Sequence, residues 1–279
     1  MNTAVSAIQN RRALSDISRS LFRVVYAFVL IILYVFLLAP IIVVVITSFE
    51  TQSYLSFPPE GFTLDWYAKV LTNQQFIQGF QVSLVVATVA ALLALALGVP
   101  AALALSRRFP GNSALSTFFI SPLIVPTVVL GLALLLVLAP LGLTGSYPGL
   151  VTAHMVITIP YVVRTVLVSL QTQDLTCSEA ARTLGATGWM TFRRVTLPLI
   201  TPGIFAGAAI AFIISFDEAA ISLFVVGPGA TTLPAVIFNA VQYQTDPQIS
   251  ALSVLLILLS GIFIVTIDKA IGLKNVMSS

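Results

Sequence analysis

Between Arg23 and Glu50 the chain reads VVYAFVLIILYVFLLAPIIVVVITSF, residues 24–49, with no charge anywhere in it. The hydrocarbon core of a bilayer is about 30 Å thick and takes roughly 20 helical residues to cross. Backbone N–H and C=O groups find no water there, so an apolar run this long must satisfy them internally, as a helix. A strand of a membrane barrel would alternate polar and apolar residues over about ten positions, and this run does not. Pro40 marks a place for a kink. The run far exceeds the roughly 7–15 apolar residues of a cleavable signal, and no small-x-small site closes it, so it reads as a retained first helix.

Five further runs follow outward from this one. The second extends from about Val82 to Leu105, the third from Leu115 to Ala139 and the fourth from Leu150 to Leu170; the fifth starts at Pro198 and the sixth covers Ile249 to Gly272. Composition agrees. Of 279 residues, 58% are hydrophobic and only 8% charged, with a mean hydropathy of +1.04, whereas a soluble domain carries about 25% charged residues. Too few charges remain to cover a water-facing surface of this size. The expected fold class is an all-α polytopic membrane protein: six transmembrane helices within residues 21–272, between short tails at 1–20 and 273–279.

Lysines and arginines set the orientation. Arg11, Arg12, Arg19 and Arg23 precede the first span, Arg107 and Arg108 follow the second, Arg182, Arg193 and Arg194 follow the fourth, and Lys269 and Lys274 close the chain. All fall on one side if both termini share it, and the other side receives Lys69 alone with Glu50, Glu60, Asp65 and Asp246. Both termini are therefore expected in the cytoplasm. The net charge of +3 is accounted for by this topology and gives no reason to expect a nucleic-acid partner. The segment Thr51 to Gln81 is the longest polar stretch expected to face outward, with turn signals at Pro58-Pro59 and Gly61.

Several chemistries drop out. A single cysteine, Cys177, excludes a disulfide framework, and a single histidine, His154, leaves little for a metal cluster or a Ser-His-Asp arrangement. No glycine directly precedes Lys69, Lys269 or Lys274, so there is no G-x-x-x-x-G-K-[ST] phosphate loop. The chain cannot bind ATP in that way by itself.

Most of the information lies in residues 171–198, too polar for the membrane and on the expected cytoplasmic side. CSEAARTLGATGWMTFRRVTLP, residues 177–198, reads as a helix, a bend permitted by Gly185 and Gly188, and a short amphipathic helix. Ala181 and Gly185 stand one turn apart, where a partner surface could approach closely. Trp189, Met190 and Phe192 present apolar surface beside arginines, a pattern suited to docking another protein. Leu197-Pro198 opens the fifth span, with proline in the first helical turn.

This string resembles the EAA loop of ABC importer inner-membrane permeases, E-A-A-x3-G-x9-I-x-L-P. Glu179, Ala180, Ala181, Gly185, Leu197 and Pro198 match in residue and spacing, and Val195 stands where isoleucine is usual. The resemblance implies a type I ABC importer permease (MetI-like) architecture, in which this loop, Gly188 and Trp189 included, is a coupling helix seated in a groove of a separate cytoplasmic ATPase subunit. It also implies a second permease subunit, like or unlike this one, a periplasmic solute-binding protein, and a bacterial inner membrane. No cofactor is then expected on this chain, ATP-Mg being held by the ATPase. The likeness extends to Phe62–Tyr67, which is similar to the first outward loop of these permeases, and to Ser83–Arg107, similar to their second span. Within the family, Ser215-Phe216-Asp217-Glu218, Phe224–Gly229 and Thr232-Leu233-Pro234 are similar to the spermidine/putrescine type. Permeases for amino-acid-derived, phosphonate or opine-like solutes share parts of that pattern. The competing class is an ion-coupled secondary transporter, which would show paired repeats and broken helices that this sequence does not.

Charges inside a bilayer are costly and face a cavity or a partner. Asp217 lies about 28 Å along its helix from Pro198, near the outer end of the span. Two readings stand for Asp217 and Glu218: an attractant for a cationic solute, or a helix-capping pair. Arg164, within two turns of the end of span four, is expected to snorkel to the interface, and His154 to be hydrogen-bonded within its apolar helix. Tyr147, Trp66 and Tyr67 are read as interfacial anchors. Gly203 and Gly207 form a G-x-x-x-G pattern, which either brings two helices close or is ordinary glycine use.

Overall fold

The structure, a computed structural model, describes residues 2–107, 109–172, 175–243 and 246–271, with side chains for all of these except 2–21, 175, 176, 264 and 267–271. Two compact units divide the chain: Met1–Tyr67 with Asp246–Leu256, and Ala68–Thr245 with Ile257–Ser279.

In the first unit, α1 (Asn2–Thr47) carries Pro40 within it and stays helical through it. Its stretch Phe22–Thr47 is 26 residues long; nearly every side chain from Phe22 to Val43 is exposed, and only the last turn, ending at the buried Thr47, is covered. At 1.5 Å per residue that is about 39 Å, enough to cross a bilayer. A helix apolar all round is built to be covered, by lipid or by other helices. The Thr47 hydroxyl at its end meets Ser250 Oγ at 3.2 Å. α2 (Asp65–Thr72) runs from this unit into the second.

The second unit is built on α3 (Gln74–Leu105), followed by α4 (Asn112–Ile120), α5 (Thr127–Leu138), α6 (Tyr147–Gln171), α7 (Leu175–Thr183), α8 (Gly188–Thr191), α9 (Leu197–Asp217), α10 (Ala220–Val225) and α11 (Leu233–Tyr243). α12 (Gln248–Ile271) completes the order. Buried positions on α3 step by three and four, from Phe76 and Gly79 through Val86, Ala90 and Ala94 to Gly98, Ala102 and Leu105, one stripe along the helix. Most are alanine or glycine. Lipid is as apolar as leucine, so little is gained by burial and close packing must supply the attraction between helices. A Cβ on Gly98 would stand 2.8 Å from Val162 Cγ1, and Cβ atoms on Gly203 and Gly207 would stand 2.5 Å from Ser169 Cβ and 2.6 Å from Thr165 Oγ1. The G-x-x-x-G pair therefore packs α9 against α6, which decides between its two readings. Near one end the core centres on Val86, Leu150, Ile157 and Ile221; near the other it centres on Ala94, Val162, Val166 and Ile200.

The second, fourth and fifth expected runs are single long helices, and the third is not. Residues 115–139 fall on α4 and α5, bent by 102° across a 3-10 turn at Ser121–Leu123. Pro122 opens that turn and Pro126 leaves the helical region at ψ 132°, two prolines whose missing N–H groups end one helix and start another. Among the described residues four helices are long and apolar enough to cross a membrane, five if the bent pair counts as one. The sixth expected run lies on α12, whose apolar stretch is Gln248–Phe263. The expected C-terminal tail, 273–279, lies outside the described residues.

Candidate functional site

Residues 175–196 hold most of the residues singled out by sequence. α7 carries Glu179, Ala180 and Ala181 and stops at a Schellman motif: the Gly185 N–H donates to the Arg182 carbonyl at 2.9 Å and the Ala186 N–H to the Ala181 carbonyl at 3.0 Å. Gly185 sits at φ +86°, where a side chain costs roughly 1–2 kcal/mol. Nothing lies within 4 Å of where its Cβ would be, so conformation, not space, demands glycine. The Ala181–Gly185 spacing is thus the geometry of a helix stop. Thr187 then caps the next helix, its hydroxyl accepting from the Met190 N–H at 3.3 Å.

The short amphipathic helix expected here is not a separate element. It continues through a π turn at Phe192–Thr196 into α9, where the Leu197 N–H donates to the Phe192 carbonyl, and Gly188–Asp217 forms one 30-residue helix. Pro198 supplies the reason: it has no N–H, and its ring would press on the Arg194 carbonyl in a regular α turn. The wider turn relieves both conflicts. Glu179, Ala180, Gly185, Gly188 and Pro198 are exposed, while Ala181 and Leu197 are half-buried. Leu184 is 88% exposed and Trp189 69%, with the Trp189 ring 5.6 Å from that of Phe192.

At the other end of this rod the acid pair separates. Asp217 closes α9 and is exposed. Glu218 is extended, and its Oε1 accepts from the Ile221 N–H at 3.0 Å, capping α10. His154 is fully buried beside this break, Nδ1 2.8 Å from Ser215 Oγ and Nε2 3.1 Å from Ser222 Oγ. Both ring nitrogens are engaged, as expected of a hydrogen-bonded core histidine. Among the described residues no group of three His, Cys, Asp or Glu side chains could hold a metal ion. Arg164 is exposed on α6.

Sequence reading passed over two further features. The first is a cavity of about 670 Å³ where α3 and α6 begin and α11 ends, lined by Gln75, Gln78, Gln81, Tyr147, Asn239 and Tyr243 together with the 228–231 turn. α3 and α11 meet at its base: the Leu233 N–H donates to Ser83 Oγ at 2.8 Å, and a Cβ on Gly79 would lie 3.1 Å from Leu233 Cα. Its turn is packed on a neighbouring loop backbone to backbone, since a Cβ on Gly227 would lie 2.8 Å from Gly145 Cα.

The second is Glu50, which is completely buried. Its carboxylate accepts from the N–H groups of Thr51 (2.8 Å), Gln52 (3.2 Å) and Glu60 (3.2 Å) and from the Ser56 hydroxyl. Its carbonyl accepts from Trp66 Nε1 at 2.6 Å. The Ser56 hydroxyl foremost, then those backbone amides, hold the carboxyl below its ordinary 4.5, against burial, which pushes it up. Trp66 is therefore buried inside the 48–67 segment and Tyr67 is hydrogen-bonded to Ser48 at 2.7 Å. Trp66 holds that segment together from within, a correction to its reading as an interfacial anchor, while Tyr67 stays half-buried beside it. One signal was available: Glu50 stands directly at the end of an apolar run, ahead of a proline- and glycine-marked loop.

Comparison with known proteins closes the question of family. Residues 94–272 match the model described as "Binding-protein-dependent transport system inner membrane component". The chain is 36% identical to the putrescine transport system permease protein PotI of Escherichia coli (strain K12) over 252 residues, 88% of each chain. It is 32% identical to the spermidine/putrescine transport system permease protein PotC of the same strain, over 84% of this chain and 88% of that one. A crystal structure of a bacterial ABC transporter involved in alginate import superposes with a TM-score of 0.71 at 18% identity, covering 90% of this chain and 97% of that one, and shares the fold. The chain belongs to the inner-membrane components of binding-protein-dependent transport systems: it is a permease subunit of an ABC importer, and hydrolysis of ATP falls to a separate subunit.

Proposed function

We propose that this permease carries a polyamine of the putrescine or spermidine kind, released into a shared pathway by a periplasmic binding protein and bounded on its other side by a second permease subunit. The observation that carries this reading is 36% identity over 88% of both chains to a permease named for putrescine. Both termini lie in the cytoplasm by the distribution of arginine and lysine. Residues 175–196 then face the ATPase subunits, which hold ATP-Mg. In this reading Glu179, Ala180, Ala181, Gly185, Gly188 and Trp189 form the coupling surface, and Leu197-Pro198 joins it to α9. Support comes from the exposed Leu184 and Trp189 and from the unbroken helix running from Gly188 to Asp217. Of the acid pair, the exposed Asp217 is the candidate solute contact; the bond from the Ile221 N–H favours a structural role for Glu218.

The test is reconstitution of this chain with its partner permease, ATPase subunits and binding protein in liposomes, measuring uptake of labelled putrescine. Uptake that needs both ATP and the binding protein is expected. Uptake by this chain alone, driven by an ion gradient, would overturn the reading.

A further inference from the structure

We infer that the 670 Å³ cavity between the first turns of α3 and α6 and the last turn of α11 is a transit site for the solute's ammonium groups, built from neutral carboxamides and two tyrosine rings. The inference rests on the polyamine reading above and adds a second contact, separate from Asp217, which does not line this cavity. Four observations carry it. The volume lies within the roughly 300–1,000 Å³ of small-molecule sites. Gln75, Gln78 and Gln81 recur every three residues, one face of the polar first turns of an otherwise apolar helix. Their amides and that of Asn239 are hydrogen-bonded to no other described residue, so their oxygens are free to accept from an N–H of a guest. Tyr147 and Tyr243 add ring faces that attract a cation.

No charged side chain among the described residues lines the cavity, which suits a step that must also let the solute go. A binding step in a pathway must be strong enough to admit the solute and weak enough to release it. Paired carboxylates would hold a diammonium chain too long. Helix ends temper the site further: α11 ends here, and its carbonyl end favours a cation. α3 and α6 begin here, and their N-terminal amides disfavour one, although Asn73 and Ser146 side chains already accept from Gln75 and Gly149. Beside the cavity α3 and α11 are joined by the Ser83–Leu233 bond and closely packed at Gly79, so passage between these two helices requires them to part.

The complete importer in liposomes tests this, with the double variant Gln78→Leu and Asn239→Leu beside the conservative Gln78→Asn. At saturating putrescine-loaded binding protein, turnover of uptake should fall about tenfold for each lost charge-assisted hydrogen bond in the double variant, and largely recover in Gln78→Asn. Affinity for the binding protein and solute-free ATP hydrolysis should stay at the parent level. A Gln78→Cys variant in a Cys177→Ser background should react more slowly with a soluble thiol reagent when putrescine is being transported. Unchanged turnover and unchanged reactivity overturn the inference alone. Loss of binding-protein affinity also overturns it, by making this surface a docking site. A parent assembly that imports no polyamine overturns the functional reading and the inference with it.

Discussion

Two polar segments, 48–67 and 175–196, are ordered by opposite means. In the first, order comes from inside: a fully buried carboxylate gathers three backbone amides and a hydroxyl, and Trp66 closes over it. In the second, order comes from two local caps, the left-handed Gly185 and the hydroxyl of Thr187, while the side chains of Leu184, Trp189 and Met190 stay uncovered. A segment that satisfies itself needs no partner to keep its shape. A segment that is shaped but uncovered is what the proposed ATPase dock requires.

The comparison breaks most visibly at Glu50. Glu50→Leu should leave the amides of Thr51, Gln52 and Glu60 buried without an acceptor and disorder the 48–67 segment. In a Trp189→Phe background the emission of Trp66 should move to the red, with Glu50→Gln intermediate; native-like emission in Glu50→Leu would remove the carboxylate from its central place. Trp189→Ala should leave Trp66 untouched and weaken binding of the ATPase subunit by about thirtyfold, the loss typical of a buried interface tryptophan. Equal affinity in a detergent-solution titration would show that this face docks nothing.

Gly185→Val is a subtler test. Strain of about 1–2 kcal/mol should depopulate the capped turn about five- to thirtyfold. Solute-stimulated ATP hydrolysis should fall while membrane insertion is retained; normal coupling would mean the turn's shape is irrelevant to function. The smallest effect is with pH. Because the native Glu50 carboxyl titrates below 4.5, its contribution is complete above that value and is lost as pH falls through the lower native one. Trp66 emission should therefore shift only in acid below 4.5, and the shift should vanish in Glu50→Gln. A transition centred above 4.5 would contradict the hydrogen bonds described.

How much of this was legible beforehand follows from the range of each interaction. Apolar length is a local property, so α3, α6 and α9 could be read directly. The bend of the third run was equally local, written in Pro122 and Pro126, yet masked by the strength of the hydropathy around them. Gly185 was legible as a turn and not as the αL position of a particular cap. Glu50 was not legible as a buried hub, because its burial depends on partners up to sixteen residues away, with Trp66 the furthest. The glutamines of α3 read as a polar stretch, and only the approach of α11 turns them into a cavity wall.

The π turn at Phe192–Thr196 has a rotational consequence. It holds one residue more than the same length of α-helix, and one residue is about 100° around the axis. The surplus therefore sets the phase between Trp189 and everything from Leu197 onward. Removing a residue from the turn would leave both halves helical and swing the tryptophan about a quarter of the way round the rod. Where that ring points is decided by an inserted residue, and the same loop one residue shorter would aim it elsewhere.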